Sequence, residues 1–332
     1  MICRLLFVTL AASALSNACG GASGTADNIP SVSIRLIPAP KGVVLDGPVW
    51  LSSAHRLVVT YTPPGKGTDA AYDQLYSLKL DGSGLKRLRL PAQRGCRLTS
   101  HSTGVALADG RLGYLQECWG QEIPHRAKFV RTYNPRTTRV AYLRPYPVPV
   151  SAGYFAASPD LRQGVINDGR SLYEQLLWLG RPSLAPLRLP FTRVGYPSWS
   201  PDGRWIALDA VPGGIRASGA ARENLRRNLY LVDRNGQVRR SLVRNLVNAG
   251  LSAWSPNGRW LAVALQPAHG DTGLYLVNIA TGTPHLLLKG EGFGNATWIN
   301  DRVLVVSVGV FSNLLVGRGP TGLERIRLPQ RG

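Results

Sequence analysis

Methionine occurs once and phenylalanine six times in 332 residues, and 19 acidic side chains face 39 lysines and arginines. So few acids leave no clear carboxylate cluster of the kind a calcium ion requires, although single residues such as Asp46 and Glu117 could contribute to one. The five histidines, His55, His101, His125, His269 and His285, lie far apart and lack the close spacing of zinc ligands, so most are expected in loops or turns. No G-x-S-x-G nucleophile elbow is present, and no glycine-rich loop has the strand and helix context of a nucleotide fingerprint. The longest apolar run, Leu5 to Leu15, has 11 residues, too few to span a bilayer.

What is present points to a folded chain of short strands. Hydrophobic residues make up 44% and charged ones only 17%, while glycine (37) and proline (24) are plentiful. The formal net charge is +20. Such a balance invites a nucleic-acid reading, but the arginines are scattered and form no basic block or known motif, so nucleic acid is not expected as a partner. A basic surface equally suits anionic lipid, wall polymer or acidic protein.

Residues 1–18 read as an export signal, with Arg4 before the apolar run and small residues after it. Leu15-Ser16-Asn17-Ala18-Cys19 resembles a bacterial lipoprotein signal, in which the cysteine is acylated and becomes the new N-terminus. The alternative is plain cleavage after Ala18. Residues 19–31, rich in Gly, Ser and Ala, would then form a flexible tether, and residues 32–332 the folded domain. Once Cys3 leaves with the signal and Cys19 carries lipid, Cys96 and Cys118 remain, 22 residues apart across an expected hairpin. In an oxidising compartment a disulfide is the expectation, with two free buried thiols as the alternative.

The chain repeats itself with a period of roughly 40 to 55 residues. Tyr196-Pro197-Ser198-Trp199-Ser200-Pro201-Asp202-Gly203-Arg204-Trp205-Ile206-Ala207-Leu208 returns 55 residues later as Leu251-Ser252-Ala253-Trp254-Ser255-Pro256-Asn257-Gly258-Arg259-Trp260-Leu261-Ala262-Val263. Asn228 to Asp233 is likewise echoed by Gly273 to Asn278. Asp-Gly and Asn-Gly accept the positive φ of a tight hairpin, so each unit is a strand, a turn and a return strand. The return strands are apolar almost throughout, which implies burial on both faces between neighbouring sheets. Asp202, Asn257 and Asp109 therefore read as turn formers, not ligands. Weaker copies over the rest of the chain give six units of four strands. Ser33 to Ile37 precedes the first unit and is a candidate for closing a ring, although Ile326-Arg327-Leu328-Pro329 already resembles a fourth strand for the last unit.

The W-S-P-D-G-R-W-I-A pattern followed by L-Y-L-V-D resembles the blade repeat of the TolB-like propeller family. That resemblance implies an all-β fold, a six-bladed β-propeller of four-stranded antiparallel blades, in an exported, monomeric envelope protein that binds other proteins and needs no cofactor. The expected partner is an envelope protein or an anionic ligand. The alternative is a metal-assisted hydrolase or lyase with its site at the central channel. The segment from Pro212 to Asn228 separates the second and third strands of the fourth unit and carries Arg216, Arg222, Arg226 and Arg227. With a short helix over Ser218 to Arg227, it is the candidate for capturing an acidic partner; the alternative is a solvated loop without a ligand.

Overall fold

The computed structural model describes residues 32–329, apart from 42, 65–72, 93–95, 97, 120–126, 144–147, 149–153, 168–175, 179–184, 214–224, 251 and 310–321. The export signal, the tether with Cys19, His125, Arg216 and Arg222 therefore lie outside the described residues.

All described regular structure is β-strand. A first strand, β1 (Ser33–Ile37), is followed by six antiparallel units in chain order. The first holds β2 (Val44–Leu51), β3 (Arg56–Thr62), β4 (Gln74–Leu78) and β5 (Lys86–Arg87), and the second holds β6 (Leu98–Ala106), β7 (Leu112–Trp119), β8 (Ala127–Tyr133) and β9 (Val140–Tyr142). The third has β10 (Phe155–Ala157), β11 (Gly164–Asn167) and β12 (Leu176–Trp178). The fourth begins with an inner strand in two pieces, β13 (Phe191–Val194) and β14 (Ser198–Trp199), and continues through β15 (Trp205–Pro212), β16 (Arg227–Asp233) and β17 (Val238–Ala249). The fifth holds β18 (Ala253–Trp254), β19 (Trp260–Pro267), β20 (Gly273–Asn278) and β21 (Pro284–Lys289), and the sixth β22 (Phe293–Asn300), β23 (Val303–Val308) and β24 (Gly322–Arg327). β17 is long because it serves two units. Its first half pairs with β16 and its last residues with β19, with Asn245 at φ 58° between them.

The period of two along a strand sends successive side chains to opposite faces, and here each face meets a different neighbour. Ile206, Leu208 and Ala210 of β15 pack toward the third unit, while Ala207 between them packs toward the fifth. In β19, Leu261, Val263 and Leu265 face the fourth unit and Ala262 the sixth. Among the described residues, six hydrophobic clusters result, one at each junction between consecutive units and one joining the last to the first. The closing cluster combines Leu45, Leu57 and Val59 of the first unit with Val305 and Leu323 of the sixth. This is a closed propeller.

β1 completes the seal. It pairs with β24 over its whole length, giving the order β1-β24-β23-β22, and its last residue, Ile37, is buried in the closing cluster. Ile326 and Arg327, read from sequence as the last unit's fourth strand, belong to its third, and the N-terminal strand supplies the fourth. In the first unit the outer strand β5 is only two residues long, and Leu88 to Leu90 lie just past it.

The turn motif is the same in three units. Ser200 donates its hydroxyl to Asp202 (2.6 Å), and Asp202 accepts the Arg204 N–H (3.0 Å) while the Trp205 N–H returns to Ser200 Oγ (2.9 Å). Ser255, Asn257, Arg259 and Trp260 repeat this at 2.8, 3.0 and 3.0 Å, and Ser158, Asp160, Arg162 and Gln163 at 2.6, 3.1 and 3.0 Å. Gly203 and Gly258 adopt φ 69° and 70° in these turns, as the hairpin requires.

Candidate functional site: the central channel

The innermost strands surround a cavity of about 410 Å³, lined by residues of all six units. Among the described residues its wall is largely apolar and carries no charged side chain: Trp50, Trp199, Trp254 and Trp298 stand among prolines and small residues. Two of these tryptophans also fasten neighbouring units. Trp298 Nε1 donates to the Ala253 carbonyl (3.0 Å) and Trp254 Nε1 to the Ser198 carbonyl (3.1 Å). The ladder stops at Trp199, whose buried indole N–H has no partner among the described residues. Between the last unit and the first, the Trp50 backbone N–H donates to Thr297 Oγ1 at 3.2 Å.

Next to the lining residues Gly47, Tyr154 and Pro197, near the start of the inner strands, stand several polar side chains. Asp46 is partly exposed beside Gly47 and accepts that residue's N–H at 2.6 Å. Burial pushes its carboxyl above the usual range, against the hydrogen bonds from Gly47 and the Ser307 hydroxyl. Tyr154 and Tyr196, both partly exposed, meet edge-to-face at 4.4 Å. Burial, Tyr196 and the charge of Asp46 all push the Tyr154 hydroxyl upward. Behind Tyr196 lies Asp209, almost fully enclosed, which accepts the Tyr196 N–H (3.0 Å) and pairs with Arg227. Burial raises the Asp209 carboxyl, while the Arg227 guanidinium and the Tyr196 N–H pull it down. Asn167 Nδ2 donates to the carbonyls of Val194 and Gly195, both at 3.1 Å, fixing this corner.

The residues expected from sequence are only partly brought together. Arg226 is exposed at the end of the segment carrying Arg216 and Arg222. Arg227 is not a free rim cation or part of a helix: it opens β16, and its guanidinium is committed to Asp209, because a carboxylate so enclosed needs a charged partner. Glu117 pairs with Lys128 at 3.4 Å, so it does not serve the channel. Cys96 and Cys118 form a disulfide with Cα atoms 5.4 Å apart. Among the histidines, His55 sits in a turn, but His101 is buried on β6 and His285 lies on β21 against Trp260. Tyr154 and Tyr196 were missed, although the repeat contained their signal: each stands four residues before the serine of its turn motif. Among the described residues no three His, Cys, Asp or Glu side chains group as metal ligands would.

No family model matches the chain, and no curated protein matches it by sequence. Solved structures do match in shape. TolB from Acinetobacter baumannii superposes with TM-score 0.57 at 15% identity, covering 82% of this chain and 63% of that one. The fold is TolB-like. A protein assigned as TolB from Agrobacterium tumefaciens gives TM-score 0.53 at 16% identity over 77% of this chain and 87% of its own. An oligogalacturonate lyase solved with manganese gives 0.52 at 12% over 90% and 93%. The TolB-like propeller thus spans under two thirds of the A. baumannii protein. At such identities the likeness concerns architecture, and function has to be argued from the site.

Proposed function

We propose that this TolB-like propeller is an exported, non-enzymatic binding protein of the cell envelope, tethered through an acylated Cys19, that captures a partner at the face where the channel opens beside Asp46, Tyr154 and Tyr196. The observation that carries this reading is the channel itself. Its cavity of about 410 Å³ has an uncharged wall of tryptophan, proline and small residues, a surface suited to recognition by shape and apolar contact. The +20 net charge favours an acidic protein or other anionic partner at the surrounding surface, and exposed Arg226 borders the arginine-bearing segment that would meet it. The resemblance to the TolB-like family supports an envelope protein as that partner.

The test is capture from an envelope extract by the anchored full chain, followed by identification of what is retained. Arg222→Glu with Arg226→Glu should reduce capture of the wild-type partner at least ~10-fold at physiological salt. Undiminished capture would remove the segment from the binding face.

A further inference from the structure

We propose that the polar mouth of the channel is a site for an organic ammonium group, held between the Asp46 carboxylate and the rings of Tyr154 and Tyr196, with the apolar body of the ligand in the cavity beyond. The proposal rests on the reading that the channel opening is the binding face, and it names what enters the centre of that face.

Four observations converge. First, among the described residues Asp46 has no lysine, arginine or histidine partner, although the chain carries 39 lysines and arginines; its contacts are the Gly47 N–H and the Ser307 hydroxyl. Asp209, the other enclosed carboxylate at this end, is paired with Arg227, so the protein supplies a cation to one and leaves the other open. Second, the backbone of the sixth unit runs close to Asp46: a Cβ on Gly294 would stand 3.5 Å from Asp46 Oδ1 and would clash with Ser307 Oγ at 2.6 Å, so glycine is required for this approach. Third, Tyr154 lines the cavity beside Tyr196, with which it packs edge-to-face at 4.4 Å, and it lies within electrostatic reach of Asp46, whose neighbour Gly47 lines the same cavity. Carboxylate and ring together attract an ammonium group, by charge and by the ring quadrupole. Fourth, the cavity wall beyond is uncharged and rich in tryptophan, which suits an alkyl or aryl body and offers a metal ion no further charged ligand. An anionic group would be repelled here, so acidic partner surface belongs outside the mouth and the ammonium within it.

Two sources share this chemistry, a small amine and the N-terminus of a polypeptide. The probes are phenethylammonium and its neutral analogue 2-phenylethanol, together with the peptide Phe-Gly-Gly-Gly with a free or an acetylated N-terminus, titrated calorimetrically into the full chain. Saturable binding of phenethylammonium, of the free peptide, or of both is expected, with the neutral and acetylated analogues at least ~10-fold weaker, and their ranking identifies the source. Asp46→Asn should weaken ammonium binding by ~10-fold or more, and Tyr154→Leu by ~3-fold or more through loss of the ring. The thermal midpoint of each variant shows whether it is folded, and should one fail, the other carries the test. Absence of saturation below ~50 mM, equal affinity in a folded Asp46→Asn chain, or displacement of the amine by micromolar calcium would overturn the proposal. If the wild-type chain captures the envelope partner but binds neither amine, the ammonium site falls while the binding face stands.

Discussion

At the scale of single residues, the repeated turns show how one position can be right in two copies and strained in a third. Gly203 and Gly258 take positive φ without cost, whereas the third unit has Leu161 at φ 58° in the same motif. A branched side chain in that conformation costs about 1 kcal/mol, because Cβ crowds the following carbonyl. Leu161→Gly is therefore expected to stabilise the protein by roughly 0.5–1 kcal/mol, offset in part by the greater freedom of glycine in the unfolded chain. Urea unfolding would register this as a higher midpoint with unchanged slope; a lower midpoint would show that the leucine side chain contributes packing that outweighs the backbone strain. The same scale explains why the arginines were read too uniformly. Arg226 and Arg227 are neighbours in sequence, but only Arg227 lies in register to reach Asp209 on the adjoining strand.

At the scale of elements, the strand that matters most for closure is the one farthest from its partners in sequence. β1 covers the outer edge of β24, which would otherwise present unpaired backbone groups. Its side chains divide sharply: Ile37 is 1% exposed in the closing cluster, while Ile34 is 47% exposed. Ile37→Ala should thus lower stability by about 3 kcal/mol through a cavity at the junction of first and last units. Ile34→Ala should stay within ~0.5 kcal/mol of wild type. Equal effects of the two substitutions in denaturant unfolding would mean that β1 adds backbone pairing without sealing the core. The disulfide acts on the same scale, tying the approach to β6 to β7 where the second unit begins.

For the whole molecule, the response to acid is set by groups of opposite sign. His101 is enclosed by Gln74 and Gln116 at 3.3 Å on its two ring nitrogens, and burial, with the charges of Arg87 and Arg131, lowers its pKa to about 4. The unfolded chain takes up that proton near the ordinary histidine value of ~6.5. Between pH ~6.5 and 4 the unfolded state therefore binds more protons, and stability falls on acidification by up to about 3 kcal/mol from this residue. Asp46 works in the other direction, since a carboxyl raised by burial gains protons in the folded state first. Thermal midpoints measured from pH 7 to 4 should drop, and His101→Gln should flatten the profile. A parallel drop in both proteins would assign the acid sensitivity elsewhere.

The sequence by itself determined the repeating unit: Asp-Gly and Asn-Gly turns, return strands apolar on both faces, and tryptophans at matching places in successive inner strands are local patterns, written within a few residues of where they act. Only the tertiary structure decided what depends on closing the ring. Pairing of β1 with β24 joins residues nearly a chain length apart, and the sequence left two candidates for the outer strand of the last unit. The channel mouth is of the same kind. Asp46, Tyr154 and Tyr196 come from three units, and nothing local to any of them says that they share one opening, because their proximity is a property of the closed ring and not of the segments that compose it.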